Sequence, residues 1–185
     1  MVYVFEGARN SGKTFLSQEV SKKLFVPRYQ FDFGNYFGLL GLKSNGSNSA
    51  HAFSMGKEFM LMQMVRDIKG IPDFIHDRGI MTCLAWGLFE NRIDRLEVMK
   101  QAEFARSEGL FENAHIIYID GKNPDKKQRN KDSWDFADIG SGERDAFEYV
   151  KSVFASKGIP FTVFKNNFDD ESLSEINELV FNLLK

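Results

Sequence analysis

The chain has 185 residues, enough for one domain with a sizeable buried core. Its 24 basic and 26 acidic side chains leave a formal net charge of −2, which argues against a broad basic face for nucleic acid. A hydrophobic fraction of 43% with 19 phenylalanines argues against disorder, and the single cysteine, Cys83, excludes an internal disulfide.

The chain opens with an apolar, β-prone run, Val2-Tyr3-Val4-Phe5-Glu6, and then Gly7-Ala8-Arg9-Asn10-Ser11-Gly12-Lys13-Thr14. The second run is a complete G-x-x-x-x-G-K-T phosphate-binding signature. A helix is expected from Lys13 or Thr14 to about Leu24. In that order of strand, turn and helix, the two glycines let successive backbone N–H groups point inward, and the helix N-terminus adds unpaired donors. Lys13 would place its ammonium on the β- and γ-phosphates, and Thr14 would offer a hydroxyl to Mg²⁺. Residues Gly7 to Thr14 are thus the expected nucleotide-binding set. Arg9 either reaches a phosphate or points to solvent.

Alternation over Arg28-Tyr29-Gln30-Phe31-Asp32-Phe33 predicts a second strand between Pro27 and Gly34, with Asp32 near its end. Residues 34–50 read as irregular, with a mobile surface loop expected over 43–50. His51 to Lys69 is helical by spacing, with Phe53, Phe59, Met60, Met64, Val65 and Ile68 as its apolar positions and Gln63 and Arg66 on one face. A short strand through Phe74 and Ile75 ends at Asp77, and Arg78-Gly79 turns the chain. Helices are expected over Ile80 to Phe89 and Glu90 to Ser107, the second burying Ile93, Leu96, Met99 and Phe104. Ala114 to Asp120 reads as a central parallel strand. Residues 122–142 are basic and irregular. A helix over Glu143 to Lys157, a strand over Phe161 to Phe164 and a helix over Asp169 to Leu184 complete the chain.

Alternation of about five strands with helices predicts an α/β fold, a mostly parallel five-stranded sheet covered on both faces. Ligands of such sheets sit at the carboxyl ends of the strands, where Gly7 to Thr14, Asp32 and Asp77 fall. Asp77 would approach Mg²⁺ or orient an acceptor hydroxyl, or else cap a helix; Arg78 offers a planar fork to a phosphate. Asp32 either binds the substrate or caps the next helix. Gln63 could meet a nucleobase edge, although exposed glutamine is common on helices. Among Lys122, Lys126, Lys127, Arg129 and Lys131, Arg129 is the preferred lid cation and Lys131 the second; Arg144 is a further candidate. His51, His76 and His115 lack metal-ligand spacing. No secretory signal and no bilayer-spanning run are evident, so a cytoplasmic protein is expected.

The assembled motifs resemble the thymidylate kinase and deoxynucleoside kinase group of P-loop kinases. The resemblance rests on Gly7 to Thr14, on Phe74-Ile75-His76-Asp77-Arg78, and more loosely on Arg129 and Glu143-Arg144-Asp145-Ala146-Phe147-Glu148. It implies the P-loop NTPase three-layer sandwich in a single domain, with a lid over 122–142. It also implies ATP-dependent, Mg²⁺-assisted phosphoryl transfer. Lys13 with Arg129 or Arg144 would stabilise the transferring group, and Asp77 would orient the acceptor or the ion. Arg78 would contact the acceptor, and the helix carrying Gln63 and Arg66 would contribute to the base pocket. The chain departs from both subfamilies: Asp32-Phe33-Gly34-Asn35 replaces an arginine-rich segment, and Asp77-Arg78-Gly79 replaces Glu-Arg-Ser. The acceptor is therefore open between a deoxynucleoside, a deoxynucleoside monophosphate and a polynucleotide end or modified base. An ATP-hydrolysing binding module is the rival from another class. A homodimer is compatible with the resemblance, and the small size and irregular loops are similar to those of proteins encoded by large bacterial viruses.

Overall fold

A computed structural model describes residues 1–30, 48–121 and 139–184. Five strands, β1 (Val2–Glu6), β2 (Arg28–Gln30), β3 (Phe74–Asp77), β4 (Ala114–Gly121) and β5 (Phe161–Asn166), form one sheet in the order β2-β3-β1-β4-β5. All four pairings are parallel. The central strand β1 pairs Val4 with His76 on one side and with Ile116 on the other. Among the described residues six helices accompany it: α1 (Lys13–Leu24), α2 (Asn48–Asp67), α3 (Ile80–Phe89), α4 (Arg95–Ser107), α5 (Ile139–Ser156) and α6 (Asp170–Leu183).

Strand periodicity divides the core in two. Val2 and Val4 of β1 and Ile116 and Tyr118 of β4 face a cluster with α2, α3, α4 and α5 that includes Met81, Phe147 and Phe154. Tyr3, Phe5, Ile117 and Ile119 face the other way, onto Leu16 and Val20 of α1 and Ile176 and Val180 of α6. A strand buried on both faces has no polar side to show, which is why β1 and β4 read as continuous apolar runs. Each fully buried large side chain contributes roughly 1.5–3 kcal/mol by leaving water. Among the described residues, no helix is long and apolar enough to cross a membrane.

Several boundaries differ from the sequence expectation. α4 begins at Arg95, not Glu90, because the Asp94 side chain accepts a hydrogen bond from the Glu97 N–H at 2.8 Å and fixes the start there. Residues 48–50, expected in a loop, open α2, and 139–142, expected in the lid, open α5. The buried stripe of α4 is Val98, Ala102 and Ala105, while Leu96, Met99 and Phe104 are exposed. In α4 the small residues lie inward and the bulky ones stay outside. α2 buries Met55, Met62 and Val65 and exposes Met60 and Met64, and Ile68 is exposed just beyond its end. Phe31 to Phe33, the loop expected over 43–47 and most of the lid expected over 122–142 lie outside the described residues.

Candidate active site

The phosphate loop joins β1 to α1. Its backbone turns through left-handed geometry at Asn10 (φ 60°) and Gly12 (φ 88°). A Cβ at Gly12 would lie 2.2 Å from Asn166 Nδ2, so glycine is required there by space as well as by torsion. Asn166, at the end of β5, donates to the Ser11 carbonyl at 2.8 Å and accepts from Phe168 N–H at 3.0 Å. One side chain therefore pins the loop to the far half of the sheet. Ser11 Oγ is buried within the loop and has no hydrogen-bond partner.

Lys13 is folded back over the loop, donating to the Ala8 carbonyl at 3.1 Å. It is only 4% exposed. Burial and then the Arg78 guanidinium push its ammonium down to about 8, against the opposing pull of Asp77, Glu143 and Glu6. A buried cation facing a second cation is poised to gain from an incoming phosphate.

Glu6 ends β1 directly before Gly7 and is buried. Its carboxylate accepts from the backbone N–H groups of Gly79 (3.1 Å), Met81 (2.9 Å) and Thr82 (3.1 Å), and from the Thr82 hydroxyl. No side chain of its own caps α3, so Glu6 supplies that cap from another strand. Burial raises its pKa to about 7, partly offset by the bonds from Thr82 and Gly79. A Cβ at Gly79 would lie 2.7 Å from Val4 and 3.0 Å from Glu6 Oε1, which accounts for glycine in this chain's Asp77-Arg78-Gly79.

Asp77 ends β3 and is completely buried on the α1 face. It caps no helix. Its Oδ2 accepts from Arg28 Nη2 at 2.5 Å, and Arg28 Nε donates to Ser17 Oγ at 2.8 Å. Its Oδ1 is buried with no hydrogen-bond partner. This open oxygen, with Thr14 in the first turn of α1, suits a cation that keeps waters and takes its other ligands from phosphates, as Mg²⁺ does. Among the described residues no group of three His, Cys, Asp or Glu could hold a metal by itself.

Arg78 adopts φ 79°, an unfavourable backbone for a bulky residue and one seen where function outweighs strain. Its guanidinium lies 5.0 Å from the Trp86 ring centroid. It has no carboxylate partner among the described residues, and its Nε is buried without a hydrogen bond. Arg9 lies against the same ring at 5.4 Å and pairs with the buried Glu143 at 3.1 Å. The arginine of the loop is thus turned to an acid of α5. Arg144 pairs with Asp120 near the end of β4 at 2.7 Å, with both side chains half exposed.

Behind Arg78, the buried Glu58 of α2 meets His76 at 2.7 Å and Lys57 at 2.5 Å. Burial opposes the ionisation of Glu58, but His76 and Lys57 hold its carboxyl below the ordinary value. Cys83 is buried and its thiol is pushed well up by burial, as suits a packing residue.

The structure places two acceptor candidates on the later turns of α2. Arg66 donates to the Glu108 carbonyl, and its own carbonyl and that of Val65 accept from Asn113, the residue that precedes β4. It therefore lies at the amino edge of the sheet, opposite the phosphate loop. Gln63, one turn from Arg66 on α2, is exposed. α2 runs toward the amino edge, so its middle, with Glu58 against His76, lies nearer the site than Arg66 does. Asp32, Arg129 and Lys131 lie outside the described residues. Sequence reasoning missed Glu6, Arg28, Glu143 and Asn166. Glu6 carried a usable signal, an acid ending an apolar strand before the loop, as Asp77 does. The other three act through partners remote in sequence.

No protein-family model and no curated protein matches the chain. Solved structures do. The YorR protein of Bacillus subtilis, in complex with phosphorylated GDP, has a TM-score of 0.60 at 17% identity, over 100% of this chain and 95% of that one. Deoxyadenosine kinase from M. mycoides with bound dCTP has a TM-score of 0.58 at 14% identity, over 100% and 98%. Thymidylate kinase from Ehrlichia chaffeensis has a TM-score of 0.58 at 18% identity, over 100% and 97%. At these identities the likeness is one of fold, and the chain has the three-layer fold of the thymidylate and deoxynucleoside P-loop kinases.

Proposed function

We propose that the protein transfers the γ-phosphoryl group of ATP to a deoxynucleoside or deoxynucleoside monophosphate. The observation that carries this reading is the pairing of Lys13 in the loop with Arg78 across the end of β3. Arg78 has no acid to neutralise it among the described residues, and it lowers the Lys13 pKa. Two neighbouring cations at the carboxyl edge of a parallel sheet suit an anion shared between a donor and an acceptor.

The residues divide the work. Backbone N–H groups of Gly7 to Thr14 hold the donor phosphates, and Lys13 offsets charge on the transferring oxygens. Thr14 and Asp77 would hold Mg²⁺, which would supply positive charge to offset that of the phosphates there. Arg28 holds the Asp77 carboxylate in place through their ion pair. Arg78 meets the acceptor. Arg144 stays near the strand ends and would need to leave Asp120 to reach a phosphate. Arg129 and Asp32 keep their proposed roles as lid cation and acceptor contact.

The test is a phosphotransfer screen with Mg-ATP over deoxynucleosides, their monophosphates, and short DNA and RNA with free ends or modified bases, with products separated by mass. A phosphorylated nucleoside or nucleotide is the expected result. A labelled polymer would move the function to nucleic-acid processing. ADP release unchanged across the panel would favour an ATP-hydrolysing module.

A further inference from the structure

Glu143, near the start of α5, is 2% exposed and touches three groups. Oε1 accepts from the backbone N–H of Arg9 at 2.9 Å and from Trp86 Nε1 at 3.4 Å. Oε2 faces Arg9 Nε at 3.1 Å. Arg9 is 134 residues away in the chain and Trp86 is 57. One carboxylate therefore joins the phosphate loop, helix α3 and helix α5. It also raises the pKa of Lys13, so its charge is felt at the donor phosphates.

The two arginines on Trp86 are consequently unequal. Arg9 is bound at both its backbone and its side chain by Glu143. Arg78 lies against the same indole with no acid paired to it among the described residues. Two guanidiniums flanking one ring repel each other unless one is neutralised, and Glu143 neutralises Arg9.

We propose that Glu143 is a positioning residue for the acceptor side of the site: it locks Arg9 and Trp86 together and leaves Arg78 as the cation that meets an anionic acceptor. This rests on the phosphotransferase reading for its kinetic consequence, but not for its geometry. Without the charge, the Arg9 guanidinium loses this ion pair, the contact that joins it to the indole is weakened, and the charge of Arg9 is no longer offset by Glu143 beside Arg78.

The test uses Glu143→Gln, which keeps the size of the side chain but turns an amide toward the Arg9 guanidinium. In a Trp134→Phe background Trp86 is the sole tryptophan of the chain. Its emission should shift to the red and its acrylamide quenching should rise in Glu143→Gln, with the circular dichroism unchanged. Arg9→Gln alone should produce the same change, and the double variant should add nothing, since both remove one interaction. With the acceptor found by the screen, the KM for acceptor should rise about tenfold while that for ATP stays within about twofold. Unchanged Trp86 emission and quenching in folded Glu143→Gln and Arg9→Gln would overturn the proposal, as would equal rises in both KM values. If the wild type phosphorylates nothing on the panel, the functional reading falls and the fluorescence comparison still decides the role of Glu143.

Discussion

The two sides of β1 are built by different means. On the donor side, the loop from Gly7 to Thr14 is a backbone device, held by left-handed torsions and a single tie from Asn166. On the other side, the one proposed to meet the acceptor, Arg78, Trp86, Arg9 and Glu143 form a wall of side chains whose charges must balance one another. Glu6 bridges the halves, ending the strand that feeds the loop and capping the helix that carries Trp86. A site made of backbone depends on a few contiguous residues. A site made of side chains depends on partners brought together only by folding.

Substitutions can break this contrast. The largest effect is expected for Lys13→Ala, the one side chain on which the donor side depends. Losing it should remove roughly 3–4 kcal/mol of transition-state stabilisation, a fall of about 10²–10³ in kcat, with the fold retained by circular dichroism. A folded variant with undiminished turnover would contradict the donor assignment. Next comes Asp77→Asn, which takes the charge from both Arg28 and the proposed ion. Turnover should fall roughly 10–100-fold and the Mg²⁺ dependence should weaken, with ATP affinity less affected. An unchanged metal titration would leave Asp77 as the partner of Arg28 alone.

A third effect sharpens the contrast without mutation. In the free protein Lys13 titrates at about 8. Bound phosphate favours its charged form and raises that value. ATP affinity should therefore be complete below pH 8 and fall by up to about tenfold per pH unit above it, until the pKa of the complex is reached. Calorimetric titration in buffers of different ionisation enthalpy should show proton uptake on binding in that window. Affinity flat from pH 7 to 9 would show that Lys13 is not the titrating group. The smallest effect is expected for Arg66→Ala. Its side chain serves the amino edge of the sheet, so the KM for acceptor should stay within about twofold of wild type.

The same contrast explains what could be read from the sequence. The strand, loop and helix of residues 2–24 were legible because their signals are local: an apolar run, two glycines and a lysine at fixed spacing. The parallel sheet followed from the alternation of elements. The buried face of α4 was misread because large apolar residues were taken as the buried ones, whereas Ala102 and Ala105 lie inside and Phe104 outside. The spacing that defines a helix says nothing about which end of it lies by the phosphate loop, and Arg66 falls at the far end of α2. Asp77 was legible as an acid ending a strand. Its partner Arg28 was not, since that pairing exists only through the β2–β3 register, which sets Gln30 beside Asp77. Glu143 was hidden in the same way among the charges of residues 143–148.

The most direct test of the central claim follows the γ-phosphorus itself. Purified protein would be supplied with γ-¹⁸O-labelled Mg-ATP and each nucleoside or monophosphate in turn, and ADP and phosphorylated product would be counted by mass. The account predicts one labelled nucleotide product in equal amount to ADP, lost together with it in Lys13→Ala. ADP accompanied only by labelled inorganic phosphate, whatever acceptor is present, would contradict it.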